Sequence, residues 1–205
     1  APAVRRGLGD RRQRTRCGQG AGGPGIGHGM AELQGDRVVR ASPQDVADTA
    51  AAWIAAHARR AVAEHGRFSI ALSGGSTPRL LNATLTGATW QGRIEWSSWD
   101  VYFGDERACP PDDPSSNYHL ADSTLLSLVA IDPQRVHRMP AERPDLDAAA
   151  TEYSDLLASL LSSGPEGAPR LDMILLGLGE NGHTASLFPG TAALTVTDRW
   201  ATRRL

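Results

Sequence analysis

From residue 42 onward the apolar positions fall into two rhythms, a helical spacing and short unbroken runs, separated by turn-forming residues. Ser42-Pro43 marks a helix start, with Ser at the cap and Pro at the first helical position. The Ala-rich stretch behind it predicts a helix to about Glu64, with Val46, Trp53, Ile54 and Val62 among its apolar positions and Gly66 closing it. Phe68 to Leu72 predicts a short buried strand that runs into Ser73-Gly74-Gly75-Ser76-Thr77-Pro78, and a second helix follows through Leu80, Leu81 and Leu85. Trp99 to Phe103 predicts the next strand, ended by Gly104-Asp105-Glu106-Arg107. A Pro/Asp/Ser loop over 110–116 leads into a helix over 117–129, and Asp145 to Leu161 predicts another, ended by Ser162-Ser163-Gly164-Pro165. Leu171 to Leu176 is a strongly apolar strand followed at once by Gly177-Leu178-Gly179.

Strands this apolar, alternating with helices, predict an α/β fold: a doubly wound, mostly parallel sheet with helices on both faces. Ligands of such sheets bind beyond the carboxyl ends of the strands. All three distinctive loops fall there, which predicts one shared site.

Residues 1–29 break the pattern. They are rich in Gly and Arg, lack periodicity and build no core. Such a segment fits an RNA-binding arm, an organelle-targeting stretch or a non-native leader before Met30; the leader is the preferred reading. A single α/β domain is then expected over 30–205. The leader holds six arginines against Asp10, a charge of +5, which leaves −7 on the rest of a chain whose net charge is −2. An acidic body argues against nucleic acid as the folded part's partner. No apolar run approaches the roughly 20 residues that span a bilayer, and no apolar secretory stretch opens the chain. With Cys17 and Cys109 as the two cysteines, a disulfide framework is not expected and a cytoplasmic setting is.

Each loop suggests its own chemistry. In Ser73–Pro78, two glycines permit a tight turn and close approach to an anion, Thr77 is suited to cap the next helix, and Pro78 to open it. The helix start and the hydroxyls of Ser73, Ser76 and Thr77 then favour phosphate; a plain strand-to-helix turn is the competing reading. In the second loop, Arg107 flanked by acids reads either as a phosphate clamp oriented by a carboxylate or as a surface ion cluster. Ser116-Asn117-Tyr118 offers hydroxyl and amide groups to a sugar, with Ser116 equally suited to be a helix cap. In the third, Gly177 to Gly182 matches G-x-G-x-x-G, yet Pro189-Gly190 arrives too soon for the helix that a dinucleotide requires, so a nicotinamide cofactor is rejected. What remains is a glycine-lined turn presenting His183. Of six histidines, His28 lies in the leader, His57 and His65 in a helix and at its end, and His119 and His137 in no glycine-rich setting; the glycines before His183 leave room for a ligand, and neutral imidazole is a competent base near pH 7. No spacing of His, Cys or carboxylates suggests a metal site.

Taken together, Ser73–Pro78, Gly104–Arg107 with Ser116-Asn117-Tyr118, and Gly177–Gly190 resemble the 6-phosphogluconolactonase family in order and spacing, over residues 38–200. Gly182–Gly190, Gly-His-Thr-Ala-Ser-Leu-Phe-Pro-Gly, is the most specific part of the resemblance. The resemblance implies a cofactor-free enzyme that hydrolyses 6-phosphoglucono-1,5-lactone in the oxidative pentose phosphate pathway. It implies His183 as the base that activates water, assisted by Asn181 and Asp105. The phosphate and substrate contacts would fall to Ser73, Gly74, Gly75, Ser76, Thr77, Arg107, Asn117, Gly179 and Gly182. The partner would be a sugar-phosphate lactone, and the enzyme a monomer or weak homodimer. Two departures follow from the same resemblance. Asn181 stands where the family usually has Asp, which keeps an orienting group but gives less charge stabilisation to an imidazolium. The family also continues several dozen residues further, to a phosphate-contacting lysine; this chain has no lysine, so a missing C-terminal part is expected. Competing readings are a glucosamine-6-phosphate isomerase or deaminase of the same superfamily, a sugar-phosphate-binding module without catalysis, and an impaired fragment.

Overall fold

The computed structural model describes residues 35–203, so the Gly/Arg-rich leader, with Cys17 and Met30, lies outside the described residues. Helix α1, Pro43–His65, forms where the sequence places it. The Ser42 hydroxyl accepts the Asp45 N–H at 3.1 Å, and Gly66, at φ 83°, returns its N–H to the Val62 carbonyl. Its buried stripe is almost entirely alanine: Ala47, Ala51, Ala55, Ala58 and Ala61, with Ile54 as the large member. Such small side chains let the helix lie close on the sheet, whereas Val46 and Trp53 remain 42% and 50% exposed.

Strands β1 (Phe68–Leu72) and β2 (Trp99–Phe103) pair in parallel along their whole length, Phe68 opposite Trp99 and Leu72 opposite Phe103. Between them runs α2, Ser76–Leu85, and after β2 comes α3, Asn117–Thr124. Strand period two sends Phe68, Ile70 and Leu72, with Trp99, Val101 and Phe103, to one face. There they form one core with Ile54 and the α1 alanines, Leu81 and Leu85 of α2, and Ala121 and Leu125. Phe68 and Trp99 meet edge to face at 4.8 Å within it.

Ala71 and Tyr102 point to the opposite face, reached by α4, Leu146–Leu160, within the span the sequence predicts and capped by Asp145. The buried Tyr153 hydroxyl accepts the Phe103 N–H at 3.0 Å and lies 3.2 Å from the His137 carbonyl, pinning α4 to the carboxyl end of β2. Burial holds the Tyr153 phenol well above its ordinary pKa. Helices therefore cover both faces, as a doubly wound sheet requires. Among the described residues the sheet has three strands, in the order β2-β1-β5, with β5 at Met173–Ile174. Strands β3 (Ser162–Ser163) and β4 (Pro169–Arg170) form a small antiparallel ribbon where the sequence suggests only a loop.

Three expectations need correction. The apolar run 171–176 is regular strand only at Met173–Ile174, β5. Just before it the Asp172 carboxylate takes the Ser69 N–H and hydroxyl, both at 2.8 Å, while the Asp172 N–H keeps one backbone bond to the Ser69 carbonyl at 3.1 Å. Helix α2 begins two residues early, with Gly75 as cap, so Thr77 does not cap it and Pro78 is its third residue, not its first. The helix expected over 117–129 stops at Thr124, because Leu125 leaves helical geometry at φ −143°, ψ −64°, and a single tighter turn follows.

Candidate active site

The three loops meet at the carboxyl ends of β1, β2 and β5. After β1, Gly75 adopts φ 107°, a conformation that side chains rarely tolerate, and turns the chain into α2. The first N–H groups of a helix lack intrahelical partners, so the start of α2 presents donors beside the exposed Ser76 and Thr77. Gly74 has a different task. A Cβ there would lie 1.8 Å from Asn117 Oδ1, so the absence of a side chain is what lets Asn117 lie across the loop.

Asn117 comes from the start of α3. Its Nδ2 donates to the Asp105 carbonyl at 2.9 Å and to Asp105 Oδ1 at 3.0 Å. The Gly104 N–H bonds the Leu72 carbonyl at 2.9 Å, joining the first two loops through their strands as well. Glu106 corrects the expected role of the acids around Arg107. Its carboxylate does not pair with the guanidinium; it accepts the backbone N–H of Arg107 and of Asn117 at 2.7 Å each, and that of Tyr118 at 2.8 Å. It also accepts the Ser116 hydroxyl at 3.0 Å, while Ser116 itself caps α3 through the His119 N–H. Glu106 thus holds α3 and the Arg107 backbone together. The Arg107 side chain is exposed and has no carboxylate partner among the described residues. Tyr118, suggested for a sugar, instead tilts against Phe103 at 5.9 Å and lines a separate cleft with Asp122, Leu126 and Arg138.

The third loop builds the histidine site as a tight knot. The Gly179 N–H bonds the His183 carbonyl at 2.8 Å, and the Gly182 N–H, with φ 81°, bonds the Gly179 carbonyl at 2.9 Å. The imidazole lies directly over Gly179, where a Cβ would stand 2.0 Å from Cε1. The ring also stacks on Phe188, centroids 4.3 Å apart and planes 15° apart. Asn181 Oδ1 faces His183 Nδ1 at 2.5 Å. A carbonyl oxygen accepts and cannot donate, so Nδ1 is the donor here, and in the neutral ring the lone pair is then on Nε2. Ser186, three residues on, donates to Asp105 Oδ2 at 2.6 Å and so joins the third loop to the second.

Of the residues singled out in the sequence, contacts link Gly74, Asn117 and Asp105, and separately Gly179, Asn181, Gly182 and His183. Ser186 joins the two groups. Ser73 stays local, 3.5 Å from the Gly74 carbonyl, and Arg107, Ser76 and Thr77 share no hydrogen bond with His183 among the described residues. Glu106, Ser186 and Phe188 were not anticipated; their partners lie ten or more residues away, or face an aromatic ring, and no local period signals either. Among the described residues no three His, Cys, Asp or Glu side chains cluster as metal ligands would.

Residues 41–203 match the family described as glucosamine-6-phosphate isomerases/6-phosphogluconolactonase. A 6-phosphogluconolactonase from a Nostoc species is 40% identical over 142 residues, 69% of this chain and 58% of that protein. The solved 6-phosphogluconolactonase of Trypanosoma brucei, 32% identical, matches with a TM-score of 0.70 over 80% of this chain and 67% of its own. A solved monomeric glucosamine-6-phosphate deaminase, 24% identical with a TM-score of 0.63 over 74% of this chain and 58% of its own, shares the fold. The chain thus spans 58% of the length of the first curated relatives it matches.

Proposed function

Because the chain belongs to the glucosamine-6-phosphate isomerase/6-phosphogluconolactonase family, we propose that it hydrolyses 6-phospho-D-glucono-1,5-lactone to 6-phosphogluconate, the lactone-opening step of the oxidative pentose phosphate pathway. The observation that carries this reading is the Asn181–His183 contact, which leaves Nε2 of a clamped, neutral imidazole as a base. Nε2 takes a proton from water as the oxygen attacks the lactone carbonyl. The tetrahedral oxyanion requires N–H donors other than those of Gly179 and Gly182, which are engaged within the turn. As the C1–O5 bond breaks, the imidazolium returns its proton to the departing ring oxygen, and the product carboxylic acid ionises. Asn181 holds the ring throughout without adding negative charge. The start of α2, with Ser73, Ser76 and Thr77, and the exposed Arg107 are suited to the 6-phosphate. Asp105 serves the site by fixing Asn117 and Ser186. A cytoplasmic monomer or weak homodimer fits the same reading; among the described residues, no helix is long and apolar enough to cross a membrane.

Comparing the phosphorylated lactone with unphosphorylated glucono-1,5-lactone tests the assignment. Preference for the phosphorylated substrate, reduced at least tenfold in Arg107→Ala, supports it. Equal rates on both lactones, or ammonia release from glucosamine 6-phosphate without lactone hydrolysis, would overturn it.

A further inference from the structure

The turn that follows His183 holds itself in an unfavourable shape. Ala185 sits at φ 49°, the left-handed region that a residue with a Cβ seldom enters. Thr184 and Leu187 bridge across it, with the Leu187 N–H on the Thr184 carbonyl at 2.9 Å. Such conformations persist where surrounding contacts over-determine them, and they concentrate at functional sites. The contact that does so is on the next residue. The side-chain bonds of Asn181 and Thr191 close within the loop, whereas the Ser186 hydroxyl leaves it for Asp105 Oδ2 at 2.6 Å. A charge-assisted bond this short is among the strong ones. Asp105 is itself immobilised, its other oxygen and its carbonyl both held by Asn117, which is wedged over Gly74.

We propose that Ser186 is a positioning residue: its hydroxyl latches the His183 turn to Asp105, and through Asn117 to the first loop, setting where the imidazole stands relative to the proposed phosphate-binding helix start. The kinetic part of this inference rests on the function proposed above; the latch itself does not. Phe188 and Gly179 fix the plane of the ring, and Ser186 fixes the loop that carries it. Misplacing a catalytic base by about 1 Å costs up to about a hundredfold in rate, so a latch of this kind is read in kcat more than in KM.

The test uses the full chain and three variants, Ser186→Ala, Ser186→Thr and Asp105→Asn. Amide hydrogen exchange at Leu187 reports the turn without any substrate. Removing the hydroxyl is expected to speed that exchange about tenfold, and threonine, which keeps the hydroxyl, to restore most of the protection. In lactone hydrolysis Ser186→Ala is expected to lose about tenfold in kcat with KM within about twofold. Its effect should largely vanish in the Asp105→Asn background, since the two act through one bond. Unchanged exchange at Leu187 in Ser186→Ala would overturn the latch. Faster exchange with unaltered kcat, or independent multiplication of the two substitutions, would overturn the positioning role. A parent chain without lactonase activity would refute the proposed function, while the exchange result would still decide the latch.

Discussion

A methyl group added at Gly179 would stand 2.0 Å from His183 Cε1 and 2.2 Å from Nδ1, too close for the ring to stay where it is. The imidazole must therefore move, which disturbs its stacking on Phe188 and its bond to Asn181. Gly179→Ala is therefore expected to cut kcat by about a hundredfold while leaving the melting temperature nearly unchanged, because Gly179 and His183 lie outside the buried core. Activity near the parent's would show that the ring's seat on Gly179 is dispensable. His137 carries a separate prediction. It stacks on Tyr102 at 4.7 Å, and burial pushes its pKa below the ordinary histidine value, with Arg135 lowering it further and Asp100 opposing. The folded chain then binds fewer protons here than the unfolded chain does. This contribution is whole above pH of about 6.5 and is lost as pH falls through the depressed folded value. Thermal melts of His137→Phe, which keeps the stacking, should lose less stability than the parent between neutral and mildly acidic pH; parallel curves would contradict the assignment.

At the scale of elements, α4 depends on one hydroxyl. Tyr153→Phe leaves the buried Phe103 N–H without its acceptor and is expected to cost about 1–3 kcal/mol in denaturant unfolding; a change under about 0.5 kcal/mol would place the anchoring of α4 elsewhere. The start of α1 was legible in the sequence because its cap is local, Ser42 bonding an N–H three residues on; Asp145 caps α4 in the same way, one residue inside the start the sequence suggests. Strands β1 and β2 were legible as unbroken apolar runs between turn residues. The strand over 171–176 was overestimated for a non-local reason, the reach of Asp172 to Ser69, more than a hundred residues away in sequence. The site divides the same way. Its glycines and His183 announce themselves within one loop. Glu106 capping the segment Ser116–Tyr118, and Ser186 meeting Asp105, depend on loops brought together only by the sheet.

Over the whole molecule the two sides of the sheet are unequally covered. The α1–α2–α3 side is a continuous core, while on the other side Ile174 of β5 and Leu176, two residues beyond it, stand 53% and 62% exposed at one edge of the described sheet. An exposed apolar strand edge is a template for association. Sedimentation of the 205-residue chain is expected to show concentration-dependent self-association that Ile174→Thr with Leu176→Lys reduces; indifference to both substitutions would assign any association to another surface. The account nevertheless turns on chemistry at one imidazole, and acid release from 6-phospho-D-glucono-1,5-lactone, followed beside the spontaneous rate, tests it most directly. The account predicts hydrolysis well above that rate by the parent chain, falling to the spontaneous rate in His183→Ala with the cooperative melt retained. Equal hydrolysis by the two proteins, or none by a parent chain that melts cooperatively, would contradict it.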